Sequence, residues 1–273
     1  MSMEKDDLEA RDTAADSSDP QSAIRNPQSA EPSEDDESPD SDSASPPSEI
    51  RNRLSGHRPE DRWSIRFWRS VVILFSRLYH HLMVRNRNPL PMSGAAILVS
   101  NHISGLDPVL LQAASSRLII WMMAKEYYDL KSLNWFFKIV EAIPVRRGSR
   151  DTSSTRAAIR ALAAGRVLGI FPEGRIETSD ELLPFHVGVA VIALRTKVPV
   201  YPAFLNGTTR GKEMLPAVLS PNTVSLRFGP RIVLNYDDKS KESLEVATTA
   251  IQNAVEALRQ QEMALARQKN VTV

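Results

Sequence analysis

His102 and Asp107 are the pair in this sequence whose types and spacing could move a proton. They lie in Asn101-His102-Ile103-Ser104-Gly105-Leu106-Asp107-Pro108. A carboxylate bonded to one imidazole nitrogen fixes the tautomer and leaves the other nitrogen to accept a proton, which is the wiring of a general base. Of the five histidines, His102 alone has an Asp five residues on; after His57, His80, His81 and His186 that place holds Arg62, Arg85, Asn86 and Val191. By itself the pair is weak evidence, because an Asp at a helix start needs no catalytic partner.

The elements around the pair give it a position. Ala95 to Val99 is short, apolar and preceded by Pro91 and Gly94, which predicts a buried strand. The stretch from Pro108 to Ala114 predicts a helix with Asp107 as N-cap and Pro108 at the first helical position. Beyond it, strands are expected at 118–123, 143–145, 167–170 and 198–204, with late ones at 223–228 and 231–235. Helices are expected at 134–140, at 152–164 with Asp151 as cap, at 188–195, and from Ser243 onward. Strands alternating with helices imply an α/β fold, a mostly parallel central sheet covered by helices on both faces.

In such sheets functional groups gather at the carboxyl ends of strands. Three stretches fall there: His102 to Asp107, Arg146-Arg147, and Pro172-Glu173-Gly174-Arg175. Glu173 could orient a hydroxyl or a neighbouring cation on the turn that Gly174 permits. Arg175 offers a guanidinium fork suited to phosphate.

Composition divides the chain. Residues 1–50 hold fifteen acids against three bases, a net charge of −12, so the near-neutral total of +1 leaves +13 on the other 223 residues. Rich in Ser, Pro and Asp, residues 1–58 cannot bury enough apolar surface to offset ordering entropy and are expected to be a disordered acidic tail. They lack the basic start and apolar core of a signal peptide, so a cytoplasmic location is expected. Cysteine is absent, which excludes disulfides and thiolate chemistry. The basic body suits anionic partners; its bases are scattered and not interleaved with aromatics, so nucleic acid is not expected.

Residues 59–88 carry a predicted amphipathic helix. Wound at about 100° per residue over 62–85, Arg62, Arg66, Arg69, Arg77 and His80 fall within a sector roughly 80° wide. Phe67, Trp68, Val71, Val72, Leu74, Phe75, Leu78, Tyr79 and Leu82 lie opposite. Its uncharged runs are too short to span a bilayer. A basic stripe against an aromatic-rich face suits a helix lying in a membrane interface; docking of the apolar face on the chain's own domain is the structural alternative, and the two are not exclusive.

Taken together, the motifs resemble the glycerolipid acyltransferase family, whose best-known members acylate lysophosphatidic acid. Asn101-His102 to Asp107 matches the family's Asn-His-x4-Asp in full. Ala142-Ile143-Pro144-Val145-Arg146-Arg147 keeps the strand and arginine of its second motif but lacks the Gly. Phe171-Pro172-Glu173-Gly174 is intact, although Arg175-Ile176 replaces Thr-Arg and so moves the arginine one place earlier. Val198-Pro199-Val200-Tyr201-Pro202 resembles the fourth motif, and His186 stands where the family usually has Lys.

The resemblance covers about residues 90–235 and assigns an acyltransferase domain to 89–273. It implies His102 and Asp107 as catalytic, and Arg146, Arg147, Glu173, Gly174 and Arg175 as substrate-binding. It implies direct transfer of a fatty acyl group from acyl-CoA or acyl-carrier protein to lysophosphatidic acid, without acyl-enzyme, cofactor or metal. Consistent with that, no Gly-x-Ser-x-Gly elbow and no His-Glu-x-x-His occur. The expected setting is peripheral, on the cytoplasmic face of a membrane. Another lipid acceptor, or a non-catalytic lipid-binding module of the same fold, are the alternatives.

Overall fold

The computed structural model describes residues 63–131, 134–146, 152–179, 181–234 and 240–271. The acidic tail at 1–58, Arg147 and Asp151 lie outside the described residues.

The order of elements is α1 (Trp63–Leu78), β1 (Met83–Val84), β2 (Ala96–Ser100), α2 (Asp107–Ala113), β3 (Ile119–Ala124), α3 (Lys125–Tyr128), α4 (Asn134–Ile139), β4 (Ile143–Val145), α5 (Thr152–Ala163), β5 (Val167–Ile170), α6 (Gly188–Thr196), β6 (Val200–Asn206), α7 (Met214–Val218), β7 (Ser225–Phe228) and α8 (Lys241–Val271). The strands form one sheet in the order β1-β7-β6-β2-β5-β3-β4. From β6 to β4 neighbours are parallel; β7 runs antiparallel to β6, and β1 runs parallel to β7. The expected α/β architecture is therefore found.

β2 is its centre. All five of its residues are buried, as in a parallel strand covered on both faces. Because side chains alternate, Leu98 packs with Leu106, Leu110 and Leu111 around α2, while Ile97 and Val99 pack with Ala158, Leu162, Val189, Ile192 and Ile251 from α5, α6 and α8. In register, Val99 is paired with Ile170 on β5 and with Pro202 on β6. The chain leaving β2 thus emerges between the ends of β5 and β6, strands about 70 and 100 residues further on.

Three expectations are corrected. Asp107 is the first helical residue of α2 and Leu106 occupies the cap position, so the Asp107 carboxylate turns back to the preceding loop and not to the helix's own amides. Residues 231–234 contribute only an isolated bridge, Ile232 to Val200, and no strand. The first helix ends at Leu78, because Met83 and Val84 are recruited as a strand beside β7.

α1 docks on the domain through one side and presents the other. Arg69, Val72, Ile73 and Ser76 face the domain, with the Arg69 Nε donating to the Ser115 carbonyl at 3.1 Å. Trp63, Phe67, Trp68, Leu74 and Leu78 are each more than half exposed. The side that packs thus mixes polar and apolar residues, and the side carrying Trp63, Phe67, Leu74 and Leu78 is presented. Among the described residues no helix is long and apolar enough to cross a membrane.

Candidate active site

The site is built where β2, β5 and β6 end side by side. Asn101 prolongs the sheet with its side chain: its Nδ2 donates to the Leu205 carbonyl at 2.9 Å and its Oδ1 accepts from the Leu205 N–H at 2.8 Å. This peptide-like clamp fixes the residue before His102 to β6. The His102 N–H donates to Glu173 Oε1 at 2.9 Å, and the His102 carbonyl accepts from the Glu177 N–H at 2.7 Å, which ties the same residue to the chain following β5.

Within the loop, Asp107 acts as a hub. Its buried Oδ2 lies 3.1 Å from His102 Nδ1 and accepts from the N–H groups of Ile103 and Ser104 at 2.7 and 2.9 Å. The other oxygen, Oδ1, accepts from the Thr208 hydroxyl at 3.2 Å. A carboxylate gripped on both oxygens is set in rotation as well as in position. With Nδ1 held as the donor to Asp107, Nε2 is the nitrogen that can accept a proton. The His102 side chain is 17% exposed, so the site is reached from solvent while its aspartate is not.

The imidazole lies on a stack of rings. Its centroid is 4.1 Å from that of Phe171, with planes 14° apart, and Phe171 in turn stacks on Trp121 at 4.7 Å and 7°. This fixes the ring's tilt and offers a π face to an imidazolium, a contact that strengthens when the ring is charged.

Glu173 is buried and accepts from two loops, through Oε1 from His102 and through Oε2 from the Leu183 N–H at 3.2 Å. Burial pushes its carboxyl up to about 7, against the opposing pull of those two amides and of His102. Gly174 follows with φ +69°, a conformation that favours glycine, and a Cβ there would press on the exposed His186 ring. Arg175, on the same turn, is exposed and contributes, after the Ser179 amide, to holding the Glu177 carboxyl below the usual glutamate range.

The structure thus joins His102, Asp107 and Glu173, with Gly174 next to Glu173 on its turn, and leaves Arg175 exposed on that turn. Arg146 stands apart, exposed at the end of β4, which is three strands from β2 in the sheet and so about 14 Å away at ordinary strand spacing. Among the described residues no group of three His, Asp or Glu side chains could hold a metal. Thr208 and the Trp121–Phe171 stack escape a reading of spacing alone. Nothing near His102 in sequence points to a Thr more than a hundred residues on; only the adjacency of β2 and β6 does.

Two outcomes follow from these contacts. Thr208→Val should lower turnover by about tenfold, the worth of a lost hydrogen bond to a charged group, with Thr208→Ser restoring it. Steady-state kinetics on both variants checks this. Glu173 has a folded-state pKa above the 4.5 of an ordinary glutamate, so its contribution to stability is complete below that value and is lost as pH rises through about 7. Glu173→Gln should therefore flatten unfolding free energy against pH over this window, by up to roughly 3 kcal/mol, as read by denaturant titrations.

Comparison with known proteins bears on the same region. The acyltransferase family model matches residues 81–206, a span that includes His102, Asp107 and Glu173. A 1-acyl-sn-glycerol-3-phosphate acyltransferase of Bacillus subtilis is 32% identical over 132 residues, covering 48% of this chain and 65% of that protein. The one from Cocos nucifera is 29% identical over 201 residues, covering 65% of this chain and 61% of that protein. The aligned chain thus spans just under two thirds of either relative. The crystal structure of the 1-acyl-sn-glycerophosphate (LPA) acyltransferase PlsC from Thermotoga maritima superposes with a TM-score of 0.57 at 22% identity, over 78% of this chain and 88% of that one, and so shares the fold.

Proposed function

We propose, from the match of residues 81–206 to the acyltransferase family model, that the chain is an O-acyltransferase moving a fatty acyl group from a thioester to the free hydroxyl of lysophosphatidic acid. The observation that carries the proposal is the buried Asp107 carboxylate bonded to Nδ1 of a solvent-reached His102. A group so held serves as base to a hydroxyl and needs no nucleophile of its own.

In the proposed reaction, Nε2 of His102 takes the proton of the acceptor hydroxyl as its oxygen attacks the thioester carbonyl. The imidazolium that forms is stabilised by Asp107 on one side and by the Phe171 face beneath it. Collapse of the tetrahedral adduct breaks the carbon–sulfur bond, and the leaving thiolate recovers the proton from His102. Glu173 positions the base by holding its backbone. Arg175, at the rim of the same turn, is the cation placed to meet a phosphate, and holding the acceptor there is a large part of any two-substrate barrier. Arg146, on a distant strand, is a weaker candidate for that contact.

The acyl donor in this proposal is acyl-CoA or acyl-carrier protein. The enzyme works peripherally at the cytoplasmic face of a membrane, held by the exposed aromatic side of α1. Trp, Phe and Leu on the presented face, with no acid anywhere in the helix, is the composition of an interfacial segment.

Purified full-length protein given a labelled acyl-CoA and several lyso-lipids tests this directly. Phosphatidic acid is the expected product, and Arg175→Ala should raise KM for the phosphate-bearing acceptor. Equal use of acceptors with and without a phosphate would shift the assignment to another lipid alcohol, the alternative that the displaced arginine at 175 favours.

A further inference from the structure

The short helix α7 shows one buried side chain, Ala217, and turns Leu215 and the capping Leu219 to solvent, 69% and 67% exposed. Leucines four apart lie on one helix face, and residues 214–219 include no charged side chain. Single exposed leucines are ordinary; a continuous apolar surface is not. Here the surface continues into α1. The hydroxyl of Tyr79, next in chain after the exposed Leu78, donates to the Leu219 carbonyl at 2.8 Å, and the Val224 N–H donates to the His80 carbonyl at 3.3 Å.

α7 is also fastened to the loop that carries His102. The Gly105 N–H donates to the Lys212 carbonyl at 2.9 Å, and the Gly211 N–H to the Ile103 carbonyl at 3.0 Å. A Cβ on Gly105 would lie 2.4 Å from the Met214 nitrogen, so the two segments are in backbone contact. Any surface that holds α7 holds residues 103–105 as well.

We propose that α7 is a second bilayer contact, in which Leu215 and Leu219 enter the lipid interface beside α1 and turn the mouth containing His102 toward the surface. The proposal rests on the acceptor being a lipid and on α1 lying in the interface. A single helix touching a membrane along one line is free to roll about its axis. A second contact off that axis fixes the roll, and α7 is the element joined both to α1 and to the base. Lipid is favoured over protein as the occupant because the surface joins Trp, Phe and Leu of an acid-free helix on a body of strong positive charge, which suits an anionic bilayer.

The test uses the full chain and its Leu215→Ser/Leu219→Ser variant, with acyl-CoA and, in a parallel arm, acyl-carrier protein as donor. One acceptor is long-chain lysophosphatidic acid in phosphatidylcholine–phosphatidylglycerol vesicles; the other is a short-chain, monomeric lysophosphatidic acid. The variant should lose about tenfold in rate on the vesicle-borne acceptor, given the apolar area withdrawn, and retain its rate on the monomer. Equal losses on both would make α7 a mere buttress of the loop, and no loss on either would make the leucines inert; both overturn the proposal. So would a loss seen only with acyl-carrier protein as donor, which would assign the surface to a protein. If the wild type transfers no acyl group at all, the functional reading fails separately. Co-sedimentation with the same vesicles then judges α7 by itself: weaker binding of the variant supports it and equal binding refutes it.

Discussion

His102→Ala should leave a folded protein whose turnover is lower by a factor on the order of 10³, the scale of a lost general base. The loss falls on kcat and not on KM for either substrate, because the ring contributes to proton transfer more than to binding. The fold should survive for a local reason. His102 is joined to Glu173 and Glu177 through its backbone, which alanine keeps, and the side chain forfeits only the stack on Phe171 and one of the donors to Asp107. That costs about 1 kcal/mol beyond the area lost, read as a small fall in Tm. A variant that melts far below the wild type would show the imidazole to be a structural prop, and one that keeps its kcat would remove it from the chemistry.

The second large effect is expected at Asp107, where activity and stability separate. Asp107→Asn can point its carbonyl at the Ile103 and Ser104 amides and its NH2 at the Thr208 oxygen, which can accept as well as donate. The loop therefore survives with charge-assisted bonds exchanged for neutral ones, at a cost on the order of 1–3 kcal/mol. The charge facing the imidazolium is gone, and kcat should fall on the order of 10²-fold. Asp107→Ala removes every acceptor at once and strands two buried N–H groups, so it should melt well below Asp107→Asn while being no more active. Thermal melts beside single-turnover rates give the order. Equal melting of the two variants would contradict the hub role of the carboxylate.

The general plan of the fold was open to inspection in the chain, and so was the contact between His102 and Asp107. Runs such as Ile97-Leu98-Val99 and Val167-Leu168-Gly169-Ile170 are apolar throughout, as strands covered on both faces must be. The interval between His102 and Asp107 is one turn long, so local geometry suffices to join them. The helix start was displaced by one residue because the Asp107 side chain satisfies the loop before the helix in place of the helix itself.

What needed the tertiary structure was every contact that crosses strands. Thr208 reaches Asp107, and Glu173 reaches the His102 backbone, because β5 and β6 flank β2, and sheet order is set by how helices cover the two faces and not by any local pattern. Arg146 illustrates the same point in reverse, since the strand it follows proves to lie on the far edge of the sheet. The sorting of α1 into a basic and an aromatic side was equally a matter of periodicity. Which side would be buried was not, for a helical wheel records only that two faces differ. The side with Arg69, Val72, Ile73 and Ser76 fits against the domain beside α2, and that fit leaves Trp63, Phe67 and Leu78 outside.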